Sequence, residues 1–202
     1  MIKEIVGISL PTLLFSGCHF RSAEGSSGEC APATAPLPAE ATAEGLEGTY
    51  SLKLVAIAGA KKGAVAYGTL WLQQQDSALL YHDRLGGGRD PTTVLPLFGA
   101  ADIALGAVDA VPAGSTTSRD PLRPGVLVIQ RHAAPGKAPF TEITVRLGAD
   151  GNQRGRTLFD GPYTALQVQE VSPRRFAGAW RSGTTRERSR GYFCATRVKE
   201  GR

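Results

Sequence analysis

Long hydrophobic runs are absent from this sequence. No stretch approaches the ~18–20 apolar residues that a transmembrane helix needs, which excludes a helical bilayer span. Histidine is scarce: His19, His82 and His132 make up the whole set, and no pair has the spacing of metal ligands on a helix or strand. There is no Cys-X-X-Cys and no Gly-X-Ser-X-Gly, which removes a thiol metal motif and a nucleophile elbow. "GAKKGA" and "LGGGRD" are rich in glycine but lack the Gly-Lys-Ser/Thr ending of a phosphate loop, so they read as hairpin turns. His82 lies beside Asp83, yet adjacent strand residues point to opposite faces. "ADGN" near residue 150 offers a single Asp and reads as a turn before a calcium loop. No catalytic residue, metal or cofactor is therefore expected, and the chain is not read as an enzyme.

Turn residues, by contrast, are abundant. Twenty-five glycines and thirteen prolines punctuate short apolar runs, the distribution expected of an all-β protein. At 202 residues, 42% hydrophobic and 20% charged, the chain suits one globular domain plus accessories.

From about residue 47 onward, side-chain character alternates with period two. "TYSLKLVAI" puts Tyr50, Leu52 and Leu54 on one face and Ser51 and Lys53 on the other. "FTEITVRLG" sets Ile143, Val145 and Leu147 against Glu142, Thr144 and Arg146, and "YTALQVQEV" sets Leu166 and Val168 against Gln167 and Gln169. "GVLVIQR" is apolar enough to be covered on both faces. "YGTLWLQQQ", "RFAGAWRSG" and "GYFCATRV" complete the main set, with further candidate strands near Ala78–Tyr81 and Ile103–Val108. Seven to nine antiparallel strands joined by turns predict an up-and-down β-barrel, with a β-sandwich as the alternative.

"LEGTYS" (46–51) and "FAGAWRSG" (176–183) both carry an apolar residue followed by X-Gly-small-aromatic-polar. Placed at the starts of the first and last strands, such segments would pair in a closed barrel. The Gly-X-aromatic opening resembles the first strand of lipocalin-like and avidin-like barrels, which implies a lumen able to hold a small ligand. On that reading Tyr50, Trp71 and Trp180 are the candidate aromatic lining, each with an alternative place in the core.

The N-terminus carries a different signal. "MIKEIVG" is a short segment with one Lys, and "IVGISLPTLLF" is an apolar run of signal-peptide length. It ends in "FSGC", where the small Ser16 and Gly17 precede Cys18 and Phe15 stands at the usual leucine position. This resembles the lipobox of bacterial lipoproteins. The resemblance implies cleavage of residues 1–17, a diacylglyceryl group on the Cys18 thiol and a fatty acyl group such as palmitate on its amine. Multiple chains exceed the two-signal threshold for stable anchoring. His19, not Asp, follows the cysteine, which by that family's sorting rule points to an outer membrane, with the domain facing the periplasm.

Residues 18–46 are rich in Ala, Pro, Gly and Ser and are read as a flexible tether ahead of a domain spanning 47–202, with an arm packed on the domain as the alternative. With Cys18 lipidated, Cys30 and Cys194 remain as an even pair in an oxidising compartment. A disulfide between them would pin the tether to the final strand; two free thiols are the alternative.

Charge is divided unevenly. Segment 18–48 has a net charge of −4, whereas 49–202 carries +9 and its last 29 residues alone +7. So basic a domain would attract anionic partners such as phospholipid head groups, lipopolysaccharide or acidic wall polymers, with a solvated face that aids solubility as the alternative. Nucleic acid is not expected, because the export signal removes the domain from it and no binding motif accompanies the charge. Two functions follow from the sequence: a lipoprotein barrel binding a small apolar or anionic ligand, or an envelope protein docking an anionic partner through its basic surface.

Overall fold

The computed structural model describes residues 30–32, 37–80, 94–111, 125–133, 136–148, 163–183 and 188–199. The expected signal peptide, Cys18, His19 and His82 lie outside the described residues. Eight strands form one sheet: β1 Gly48–Ala58, β2 Val65–Leu80, β3 Val94–Ile103, β4 Gly125–His132, β5 Thr141–Leu147, β6 Thr164–Ser172, β7 Arg175–Gly183 and β8 Arg188–Arg197. Each strand pairs with the next in sequence, and β8 closes on β1, giving an up-and-down antiparallel barrel. Closure into one sheet replaces the sandwich alternative and removes the exposed edges an open sheet would carry.

Alternation decides which side chains enter the lumen. Tyr50, Leu52, Leu54, Leu70, Leu72, Leu97, Val126, Val128, Ile143, Val145, Leu147, Leu166, Phe176 and Phe193 are buried in one contiguous core. The Phe176 ring meets Tyr50 edge-on at 4.9 Å and Phe193 at 5.9 Å. Trp180 crosses the lumen side of β8, and its indole N–H donates to the Val55 carbonyl at 3.1 Å. Gly191 makes this crossing possible, because a Cβ there would collide with the Val55 carbonyl and the indole nitrogen.

Both ends of the barrel are plugged. At one end a single 3-10 turn, η1 (Glu44–Leu46), buries Leu46, and Ala43 beside it is fully buried. Gln130 holds this segment: its Oε1 accepts from the Ala43 N–H at 3.0 Å and its amide donates to the Ala41 carbonyl at 3.4 Å. Thr141 donates its hydroxyl to the Ala39 carbonyl, and Arg197 donates to the Gly45 carbonyl at 3.0 Å. At the other end a second 3-10 turn, η2 (Leu105–Val108), buries Leu105 and Val108. The Ser189 hydroxyl donates to Asp109 at 2.8 Å, and the Val111 N–H donates to the Ser182 hydroxyl at 2.8 Å.

Several expectations change. Of residues 37–46, at the end of the segment read as tether, Ala43 and Leu46 are buried against the core and close a barrel mouth, while most of the others stay exposed. The Ile103–Val108 run ends a strand and then becomes η2. Strand β3 has no counterpart in the sequence reading because Pro96, Gly99 and two alanines blur its alternation. Its pairing with β4 slips in register between Val94 and Leu97, where a proline without an N–H is tolerated. "FAGAW" lies within β7 and pairs with β6 and β8, not with β1.

Candidate functional site

The three aromatics expected to line a ligand pocket are not brought together as one. Tyr50 and Trp180 are core residues, 1% and 2% exposed. Trp71 stands on the outer face of β2, opposite Thr49 and Ala100, and is half-buried. Burial raises the Tyr50 phenol above its ordinary value, an effect partly offset by the nearby Arg197 cation and the hydrogen bond it donates at 2.7 Å. Tyr50 is thus tied to the plug and to the β8 terminus, not aimed at open space.

Cys30 and Cys194 are disulfide-bonded, with Cα atoms 5.7 Å apart across 164 residues of sequence. Cys194 points outward from β8, so the segment before the plug is fastened to the outer wall of the barrel. His132 is exposed at the end of β4. Among the described residues, no three His, Cys, Asp or Glu side chains gather as metal ligands.

A cleft does form, on the outside of the wall made by β4 to β7. It is lined by Ile129, Arg131, Glu142, Thr144, Arg146, Tyr163, Ala165 and Arg181, with a volume of about 40 Å³. Sheet register assembles it. Arg131 faces Glu142 and Ile129 faces Thr144 across β4 and β5. Arg146 then faces Ala165, and Ala165 faces Arg181, so one row across three strands carries two arginines around a small residue. Ala165 keeps the floor between the two arginines low.

The cations differ in setting. Arg146 is nine-tenths buried, and its guanidinium lies over the Tyr163 ring at 4.8 Å, a cation–π arrangement. Arg181 is exposed and sits directly opposite the exposed Arg190 of β8. Like charges in facing positions disfavour the sheet. Glu142, the one carboxylate among the described lining residues, accepts from the Thr144 hydroxyl at 3.3 Å, and three arginines stand beside it. A guanidinium is planar and matches the two oxygens of a carboxylate or phosphate. The cleft is far smaller than the roughly 300–1,000 Å³ of a drug-sized pocket, so it suits a compact anionic group.

No family model matches the chain. No curated protein matches it either. Among solved structures it is similar to designed β-barrels. A structure of EF1p2_mFAP2b bound to DFHBI is 12% identical over 77% of this chain and 96% of that one, with a TM-score of 0.37. A redesigned β barrel, mFAP1, also bound to DFHBI, is 12% identical over 76% of this chain and 96% of that one, with a TM-score of 0.36.

The sequence reading missed this cleft. Glu142, Thr144 and Arg146 were legible as the outward face of one strand, but Arg131, Tyr163 and Arg181 join them only through register. The one available signal was the excess of Arg in a strand-rich domain.

Proposed function

We propose that this chain is a lipid-anchored envelope protein whose barrel docks an anionic group on its outer wall, not in its lumen. The carrying observation is the contrast between the two surfaces: arginines 131, 146 and 181 line an outer cleft, while Trp180, Tyr50 and the Phe and Leu side chains fill the interior. An apolar small-molecule ligand in the lumen would have to displace packed side chains and at least one plug. The anchor at Cys18 is supported by the "FSGC" sequence, and the Cys30–Cys194 bond suits an oxidising compartment such as the periplasm. The role is binding without catalysis, and the partner chemistry is phosphate or carboxylate on an envelope component.

Calorimetric titration of the full chain with inorganic polyphosphate, beside an uncharged glucan of similar length, tests this reading. Saturable polyphosphate binding that weakens with Arg181→Gln and with added salt supports it. Equal heats with both polymers, or binding indifferent to Arg181→Gln, overturns it. Intact-mass analysis of the membrane-derived chain tests the anchor separately: acylation of an N-terminal Cys18 is expected, and an unmodified Cys18 contradicts it.

A further inference from the structure

The wall opposite the cleft is built differently. In an eight-stranded closed barrel β5 lies across from β1, so the wall centred on β1, with β8 and β2 beside it, faces away from the centre of the cleft and meets its margin only where β8 adjoins β7. On that side Tyr67, Ile57 and Val65 are 67%, 49% and 37% exposed, three of the most exposed large apolar residues of the described chain. Val55 pairs with both Val65 and Tyr192, which links the apolar positions across all three strands. Cations flank them. Lys53 pairs with Tyr67 and holds its ammonium 5.7 Å from that ring, and Arg190 stands opposite Ala58 at the edge of the same patch. Among the described outward side chains of β1, β8 and β2 up to Gln73 there is no carboxylate.

We infer that this wall rests on an anionic phospholipid surface, with the aromatic and aliphatic side chains entering the head-group layer and Lys53 and Arg190 meeting phosphates. The inference rests on the proposed anchor for its orientation. On that reading the tether attachment favours the same orientation. The disulfide joins Cys30 to Cys194, and Cys194 is the β8 register partner of Lys53. Eleven residues lie between Cys18 and Cys30, a span of at most about 40 Å when fully extended. The bond therefore fastens the short arm from the lipid to the same wall that carries the apolar and basic side chains. In this pose Arg131 and Arg146 of the cleft face away from the bilayer, while Arg181, beside Arg190, lies at the margin between the two surfaces.

Vesicle pelleting with the full chain carrying Cys18→Ser tests docking without an acyl anchor. Vesicles of phosphatidylcholine are compared with vesicles that also contain phosphatidylglycerol. Stronger pelleting with the anionic vesicles is expected, falling about fivefold for each of Lys53→Gln and Arg190→Gln. Tyr67→Ser with Ile57→Ser should weaken pelleting too, and Lys137→Gln, a charge removed from the exposed β4–β5 turn, should leave it unchanged. Equal pelleting with both compositions overturns the inference, as does a loss with Lys137→Gln equal to that with Lys53→Gln. Conversion of a dimer to a monomer by Tyr67→Ser, without vesicle preference, also overturns it and makes the patch a self-association face. Failure of the anchor is read elsewhere: an unmodified Cys18 in the wild-type mass, with vesicle preference intact, removes the anchor and keeps the docking wall.

Discussion

The lumen and the outer wall of this barrel obey opposite rules. Inside, aromatic and aliphatic side chains from all eight strands fill the space, and Gln130 near one end is paired with Ala43 and Ala41. Outside, β4 to β7 bring arginines together around a cleft and even oppose Arg181 to Arg190. A surface that stability alone governed would separate those charges. The difference teaches that the interior carries the folding free energy, while the wall is the surface that the proposed docking would use. Substitutions on the two surfaces should therefore separate in their effects.

The largest effect is expected inside. Trp180→Ala removes a buried indole and its bond to Val55 and should destabilise the barrel by about 3–5 kcal/mol in urea unfolding. Polyphosphate affinity of the fraction still folded should not change. Replacing Cys30 and Cys194 together with serine releases the strap from β8 and should cost about 2–5 kcal/mol in the same assay, the loop they close being long. Gln130→Ala leaves the buried Ala43 N–H without its acceptor, for about 1–3 kcal/mol. Hydrogen exchange should then show faster exchange at Ala43 and Leu46 than at η2, which would sharpen the contrast between plug and plug as well as between inside and outside.

On the wall the order reverses. Arg181→Gln should shift unfolding by less than about 0.5 kcal/mol, since the side chain is exposed. The same change should weaken polyphosphate binding by about tenfold, the worth of one charged hydrogen bond. A wall variant that cost as much stability as Trp180→Ala would break the comparison.

The smallest expected effect is on pH dependence. The Tyr50 phenol has a folded-state value raised above the unfolded 10.0, so the folded state holds its proton more tightly. Its contribution is fully present below pH 10 and is lost as pH rises through the higher folded value. Tyr50→Phe should flatten this alkaline decline in stability measured from pH 9 upward, with a pH-independent loss of the Arg197 bond beside it.

How much of this was legible in the sequence depends on how local each feature is. Strands β1, β5 and β6 announce themselves, because Leu52, Ile143 and Leu166 alternate with polar neighbours over a single element. Strand β3 does not, since Pro96 and Gly99 hide a pattern that its partners β2 and β4 impose. The plug was hidden by composition: Ala43 and Leu46 look like linker residues until a barrel mouth of matching width exists for them. The cleft was hidden by register. Arg131, Arg146 and Arg181 span fifty residues, and only the pairing of β4 with β5, β5 with β6 and β6 with β7 places them on one face.

The most direct test of the contrast is a native mass spectrum of the full chain equilibrated with both a long-chain alcohol and a short polyphosphate. The expected spectrum shows polyphosphate adducts that diminish with Arg181→Gln and no alcohol adduct. An alcohol adduct that persists in Arg181→Gln and disappears on denaturation would place the ligand in the lumen and contradict this account.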